Sequence, residues 1–412
     1  MDTKYIVLVG DGMGDYPVDR LKGRTPLEAA ETPNMDRLAR IGQLGLVRTV
    51  PEGMEPGSDV ANMSLLGYDP GVYHTGRAPL EAASMGVSLE PDELAFRCNL
   101  VFLERGPSGA TVMGDYSAGH ISTGEAEQIV ASLQGAVRGT PLKLYPGVSY
   151  RHLLVWKGGP AGLPTTPPHD ILGREVAEYD LTSDEPTLGS FVRHAAGILK
   201  DHPVNREREK AGKSPANAVW LWGQGNAPSM PTLMERFGLS GAMVSAVDLL
   251  RGIGVYAGLN PVKVEGATGY LDTNYEGKVG AALDALTEGN FVFLHLEAPD
   301  EASHEGNLEK KIEAIAKFDK LIVGPTIDGL QRFGDVRVLV VTDHMTPLVK
   351  RTHVSDPVPF LFVESLRNKP VSGSGQSRFT EKGGQAAGLF FNSGVELFTH
   401  FIGSEAGRVG HL

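Results

Sequence analysis

Three strongly apolar runs, each followed within a few residues by an aspartate, constrain the fold of this chain more than anything else in it. Tyr5–Val9 leads to Asp11, Phe291–Leu296 to Asp300, and Val336–Val341 to Asp343. Apolar runs of this length without polar alternation read as strands covered on both faces, the environment of a parallel sheet flanked by helices. In such an open sheet the residues just past the carboxyl ends of the strands share one crevice. Three strand ends that each deliver an acid predict a two-metal site. The candidate ligands are Asp11, Ser58, Asp300, His304, Asp343, His344 and His353.

At 412 residues the chain exceeds one ordinary core, so two domains are expected. The formal charge of −12, with no basic stripe, argues against a nucleic-acid partner. The charged run Arg206–Lys213 reads as a solvated helix. Cys98 is the single cysteine, so no internal disulfide can form; its apolar surroundings suggest a buried thiol. No apolar run approaches the roughly 18 residues of a membrane span, and no leader pattern precedes the first strand, so a cytoplasmic protein that neither binds nor crosses a membrane is expected.

The pattern along the chain predicts an α/β fold: a wound, mostly parallel sheet with helices on both faces, interrupted by an inserted α+β domain. Residues 1–84 and 178–412 form the expected metal-binding core. Residues 85–177 form the expected insert, with strands in Ala95–Leu103, Thr111–Met113 and Val148–Trp156, a helix over Thr123–Val137, and a return hinge at Thr165–Pro168. Thr32 and Pro33 open a helix that Gly42 and Gly45 end. Beyond Ser190, strands at Ala218–Trp222 and Ala242–Ser245 alternate with helices and are assigned to the wound sheet. A long helix over Leu308–Gly324 separates the last two strong strands, and the Gly/Ser-rich stretch Val371–Gly384 reads as a loop.

Asp300 and His304 stand four apart, so on a helix they share one face and can bind one ion. A surface i,i+4 pair has the same spacing. Asp343 and His344 are adjacent after a strand, and His353 is within a short loop of them; an ordinary turn Asp beside an unrelated His is the bland alternative. Gly10-Asp11-Gly12 is an ordinary turn tripeptide that gains meaning only from the strand before it. Ser58 begins a helix through Val60–Leu66. An N-cap is its structural role, yet the same position suits a nucleophile, because helix amides favour phosphate there and a metal on the oxygen lowers the hydroxyl pKa. Three carboxylates and neutral histidines suit two divalent cations, Mn²⁺ first, with Zn²⁺ or Mg²⁺ as alternatives. Arg77, His120, Arg151, His169 and Lys278 are the candidate contacts for a small phosphorylated substrate.

Taken together, the segments VGDGMGD, PGSDVANMSLLGYDP, TGRAPLEA, HPVN, VEGATGYLDTNYEGK, EAPDEASHEG and VTDHMTP resemble the archaeal-type cofactor-independent phosphoglycerate mutases, of the alkaline phosphatase superfamily. The resemblance spans almost the whole chain. It implies an alkaline-phosphatase-like core, an insert corresponding to the family's cap, and Ser58 as a phosphoserine-forming nucleophile. It implies one metal on Asp11, Ser58, Asp343 and His344, and a second on Asp300, His304 and His353. The activity implied is conversion of 3- to 2-phosphoglycerate. His120, where the archaeal branch has an arginine, and the Pro167–Asp170 segment are similar instead to a bacterial branch proposed to act as homoserine kinases, so ATP-dependent phosphorylation of homoserine is the alternative.

Overall fold

The computed structural model describes residues 3–180, 185–366 and 378–403. In chain order the strands are β1 (Lys4–Gly10), β2 (Gln43–Val47), β3 (Glu93–Arg105), β4 (Thr111–Asp115), β5 (Leu142–Tyr145), β6 (Arg151–Lys157), β7 (Ala218–Asn226), β8 (Gly241–Val244), β9 (Asn260–Val262), β10 (Phe291–Leu296), β11 (Val336–Val341), β12 (Val358–Val363) and β13 (Leu389–Phe391). The chain divides into two compact units. One comprises Met1–His74 and Ser229–Leu412, the other Thr75–Pro228.

The first unit is built on an eight-stranded sheet, ordered β13-β2-β12-β11-β1-β10-β8-β9. β1 lies between β10 and β11 and is parallel to both; β12 runs antiparallel to its two neighbours. The strongly apolar runs are explained by burial on both faces. Ile6, Leu8, Val292, Leu294, Val338 and Val340 pack against Met35, Leu38, Ile315 and Phe318. On the other face Phe291 meets Phe398, and Tyr5 meets Phe401, edge to face. The mixed α/β architecture is the expected one.

The second unit is an antiparallel sheet in which the long β3 pairs with β4, β6 and β7, and β5 extends it beyond β6. Phe96, Cys98 and Leu100 face a cluster that includes Ile129 and Leu133 of the helix Thr123–Val137 and Leu188, Phe191 and Leu199 of the helix Pro186–Lys200. Cys98 is buried, which pushes its thiol up to about 12.

That packing corrects the boundaries expected from sequence. The insert runs over Thr75–Pro228 rather than 85–177, and Thr165–Pro168 is not its return hinge. Strand β7, assigned to the wound sheet, pairs with β3 instead. Alternation of elements alone could not tell which sheet a strand joins. The charged helix Pro203–Lys210 is not solvated throughout: Arg208 is buried, binding Glu125 and the carbonyls of Ala118 and Ser214. Gly45 lies within β2 rather than at a helix end, since the helix stops at Ala39. The long helix after Asp300 continues past Gly324 through a π-turn, Phe318–Val323, to Leu330. Of Val371–Gly384, the part up to residue 377 lies outside the described residues; Glu381–Ala387 is helical.

One buried cation ties the loops at the carboxyl end of the first unit's sheet. Lys311 is fully buried, and its ammonium donates to the Gly14 carbonyl (3.0 Å), the Thr346 carbonyl (2.9 Å) and Asp15 Oδ2 (2.8 Å). Asp15 in turn accepts from the Leu348 amide. Removing one partner of a buried ion pair strands the other without water. Lys311→Met is expected to lose about 3–5 kcal/mol of stability. Urea unfolding of the ion-free protein checks this; a loss under about 1 kcal/mol would show that the clamp is dispensable.

Candidate metal centre

Three neighbouring strand ends supply the acids. Gly10 of β1 stands in register with Leu296 of β10, and Val9 with Val341 of β11, so the chain leaves all three strands at one level. Asp11 follows β1 directly, its amide bonded to the Leu296 carbonyl at 2.9 Å. After β10 the helix Ala298–His304 carries Asp300 in its first turn and His304 in its last. After β11 come Asp343 and His344, and a bridge between Met345 and Val354 returns the chain so that His353 rejoins them. Gly12 is required here. Its φ is +61°, and a Cβ would stand 2.6 Å from Asp300 Oδ1.

The side chains converge in two linked groups. In one, Asp300 Oδ2 lies 3.0 Å from His304 Nε2 and 3.5 Å from His353 Nε2, and the two imidazole nitrogens are 3.1 Å apart. In the other, His344 Nε2 lies 3.4 Å from Asp11 Oδ1, 3.6 Å from Asp343 Oδ2 and 3.2 Å from Ser58 Oγ. The His344 and His353 rings, 4.1 Å apart, join the groups. Asp11, Asp300, Asp343 and His344 are all buried.

The surroundings orient the ligands. His304 Nδ1 faces the Arg351 carbonyl at 2.9 Å, His353 Nδ1 the Pro56 carbonyl at 3.4 Å, and His344 Nδ1 the Thr346 hydroxyl at 3.2 Å. An imidazole whose Nδ1–H is taken by an acceptor presents its Nε2 lone pair to a metal. Asp343 Oδ1 accepts the amides of Gly12 and His344, while Asn62 Nδ2 donates both to Asp343 Oδ2 and to the Ser58 carbonyl, each at 2.8 Å. Ser58 is the first residue of the helix Ser58–Leu65 and makes no side-chain cap, so its hydroxyl is not spent on the helix end.

Electrostatics fit a cation. Burial and the charges of Asp343, Asp300 and Glu297 push the Asp11 carboxyl well above its usual range, and among the described residues Asp11 Oδ1 is a buried acceptor with no hydrogen bond. Burial opposes the Asp300 carboxylate too, but bonds from His304 and His353 hold it well below the ordinary value. Burial lowers His344, keeping it neutral. Three carboxylates crowded out of water with an acceptor unmet are the donor set of divalent-ion sites.

Known proteins are similar to this chain over most of its length. Residues 39–205 match the model of the 2,3-bisphosphoglycerate-independent phosphoglycerate mutases. The mutase of that name from Methanosarcina acetivorans is 53% identical over 361 residues, covering 87% of this chain and 89% of the relative. This chain belongs to that family. Among solved structures, a Pyrococcus horikoshii protein superimposes with a TM-score of 0.81 at 30% identity, covering 98% of this chain and 99% of the other. The cofactor-independent phosphoglycerate mutase of Thermoplasma acidophilum does so at 0.64 and 27%, with coverage of 98% and 99%.

All seven residues proposed from sequence as ligands meet in the first unit. Sequence reasoning missed His295, which is fully buried with Nε2 3.0 Å from Asp11 Oδ2 and no hydrogen bond on that nitrogen. A lone polar residue inside the β10 run was its signal. Asn62 and Thr346 gave none. Of the basic candidates, Lys278 is also fully buried, its ammonium on the His295 carbonyl at 3.2 Å, and burial brings it down to about 8. Arg77, His120, Arg151 and His169 all belong to the second unit, His120 exposed on a left-handed backbone of φ 48°.

Burial pulls the His304 imidazole down, but Asp300 and the Arg351 carbonyl lift it from 6.5 to about 9. The ion-free protein therefore gains stability from this pair below pH 6.5, and loses it as pH rises through about 9. A metal must displace the proton. Calorimetry of Mn²⁺ binding at pH 7, run in buffers of different ionisation enthalpy, should show proton release that vanishes above pH 9; heats independent of buffer at pH 7 would contradict it. Asp300→Ala and His353→Ala should each lose one ion by elemental analysis with the fold retained.

Proposed function

We propose that this chain is a metal-dependent phosphoglycerate mutase that interconverts 3- and 2-phosphoglycerate through a phosphoserine at Ser58. The observation carrying this reading is the Ser58 hydroxyl, 3.2 Å from His344 Nε2, uncapped at a helix start beside two Asp/His donor sets. Asp11, Ser58, Asp343 and His344 would hold one divalent cation; Asp300, His304 and His353 would hold the other, with Mn²⁺ preferred by the mixed donors over Zn²⁺ or Mg²⁺. Once bound, the two cations supply the positive charge that lowers the Ser58 pKa and neutralises the phosphoryl oxygens.

The chain's own groups do the rest. Amides at the start of the helix Ser58–Leu65 and its dipole favour the phosphoryl group at Ser58. Asn62 fixes Ser58 and Asp343 relative to one another. In the first half-reaction the bond from phosphorus to the glycerate 3-oxygen breaks as the bond to Ser58 Oγ forms, and the serine proton ends on the 3-oxygen. In the second, the 2-oxygen takes the phosphoryl group and its proton returns to Ser58. Arg77, Arg151 and His169 are carried forward as substrate contacts in an insert that sets specificity. Lys278, bonded to a carbonyl beside the metal residues, is assigned to holding His295 in place. Cytoplasmic residence is part of the same reading.

The Mn²⁺-loaded protein is expected to convert 3- to 2-phosphoglycerate, and Ser58→Ala to lose roughly 10³-fold or more of that rate. Acid quenching during turnover should leave phosphate on Ser58, detectable by mass spectrometry. ATP-dependent phosphorylation of homoserine without mutase activity would overturn the assignment in favour of the kinase; full activity in Ser58→Ala would overturn the phosphoserine.

A further inference from the structure

Distance alone would make His295 a further metal ligand. One nitrogen of its ring lies within 4.8 Å of carboxylate oxygens of both Asp11 and Asp343, the same spacing that groups the other donors. Its hydrogen bonds say otherwise. His295 stands in β10 opposite Val9 of β1, and Lys278 donates to its carbonyl at 3.2 Å, so the backbone here is fixed by the sheet and by that ammonium. The side chain is fully buried, which brings the imidazole down to about 3 and keeps it neutral. A neutral ring carries one proton, on Nδ1 or on Nε2.

The partner of Nδ1 decides which. Nδ1 lies 3.4 Å from Ser245 Oγ, and that oxygen already accepts the Val247 amide at 3.0 Å. The hydroxyl keeps its own proton to give, and Nδ1 is the acceptor it faces. The ring proton is then left on Nε2. His344 is the opposite case. The Thr346 hydroxyl gives its proton to Asp300 Oδ1, so it accepts from His344 Nδ1 at 3.2 Å, and His344 Nε2 keeps its lone pair. Asp11 stands between the two rings, with Oδ1 3.4 Å from His344 Nε2 and Oδ2 3.0 Å from His295 Nε2. Among the described residues neither His295 Nε2 nor Asp11 Oδ1 has a hydrogen-bond partner. A buried donor and a buried carboxylate this close, but out of line, each cost stability until they are aligned.

We propose that His295 is a positioning residue rather than a ligand: its Nε2–H holds Asp11 Oδ2, leaving Oδ1 for the cation that Asp11 would share with Ser58, Asp343 and His344. The proposal rests on the reading of Asp11 as a metal ligand. It also draws a fourth strand end into the site, because Ser245 and Val247 follow β8, which carries none of the seven candidate ligands. Val247, Ser245, His295 and Asp11 then form one chain of hydrogen bonds, in which each group fixes the orientation of the next.

The test uses the full-length protein. With ¹⁵N-labelled histidine and Zn²⁺ bound, long-range ¹H–¹⁵N correlations report the tautomer of each ring; the His295 signals are those absent from His295→Gln. The Nε2–H tautomer is expected. A proton on Nδ1, or a shift showing Nε2 bound to the ion, would overturn the proposal. Calorimetry with Mn²⁺ reads affinity. His295→Phe keeps a ring and removes the donor, and is expected to weaken one of the two sites about 10- to 100-fold, with both ions still bound at saturation by elemental analysis. His295→Gln returns an N–H near the Nε2 position and is expected to recover affinity to within roughly fivefold of the parent. Ser245→Ala releases the tautomer and is expected to weaken the same site about threefold; this variant and the parent's tautomer decide the matter should His295→Phe not fold. Loss of an ion at saturation in both His295 variants would make His295 a ligand. Lower thermal stability with Mn²⁺ affinity unmoved would make it merely structural. Either result sinks the proposal. Failure of the parent to take up any divalent ion would sink the metal reading and the proposal with it. A parent that binds two ions and shows the Nε2–H, yet lacks mutase activity, would uphold His295 and remove only the mutase reading.

Discussion

Mutual repulsion of three buried carboxylates is the interaction on which the first unit turns. Asp11, Asp300 and Asp343 sit at the ends of three adjacent parallel strands, where the sheet's register leaves them no room to diverge. Burial removes the water that would otherwise screen them. The ion-free fold relieves part of this strain by raising the Asp11 carboxyl and by protonating His304 beside Asp300. Those two adjustments are what a cation replaces. Metal affinity, pH response and the environment of Ser58 would therefore follow from one strand arrangement.

Holding that arrangement against repulsion needs compensating bonds, and they come from residues outside the seven candidate ligands. Lys311 reaches the loop after β1 and the loop after β11 at once, so the positions of Asp11 and of Asp343–His344 are tied to the helix that follows Asp300. Asn62 ties the nucleophile's helix to Asp343, and Thr346 bonds both Asp300 and His344. Every ligand histidine has its far nitrogen facing an acceptor. A site whose residues lie on separate loops and helices gains its rigidity from this outer layer of bonds.

The convergence of the seven candidate residues was legible in the sequence because strand ends and i,i+4 spacing are local signals. An apolar run has a visible end, and the residue after it is fixed in space by the sheet. The outer layer was not legible, since Lys311, Asn62 and Thr346 matter through partners hundreds of residues away or through loops whose course no local pattern sets. The domain boundary failed for a related reason. The start of β7, Ala218–Trp222, is as apolar as a wound-sheet strand, and only its pairing with β3 assigns it to the insert. His295 carried a signature that was present but unread: one polar residue inside an otherwise apolar strand, where burial makes an unpaired group expensive. Arg337, equally placed in β11, shows why that signature is ambiguous, because its guanidinium simply bonds the Phe401 carbonyl.

The first unit concentrates carboxylates that call for cations, within a chain whose net charge is −12. Two divalent cations would reverse the sign of the local field, so an acidic chain can present positive charge to a phosphoryl group. That donor set alone would accept many phosphoryl groups, so discrimination among substrates has to come from residues other than these seven.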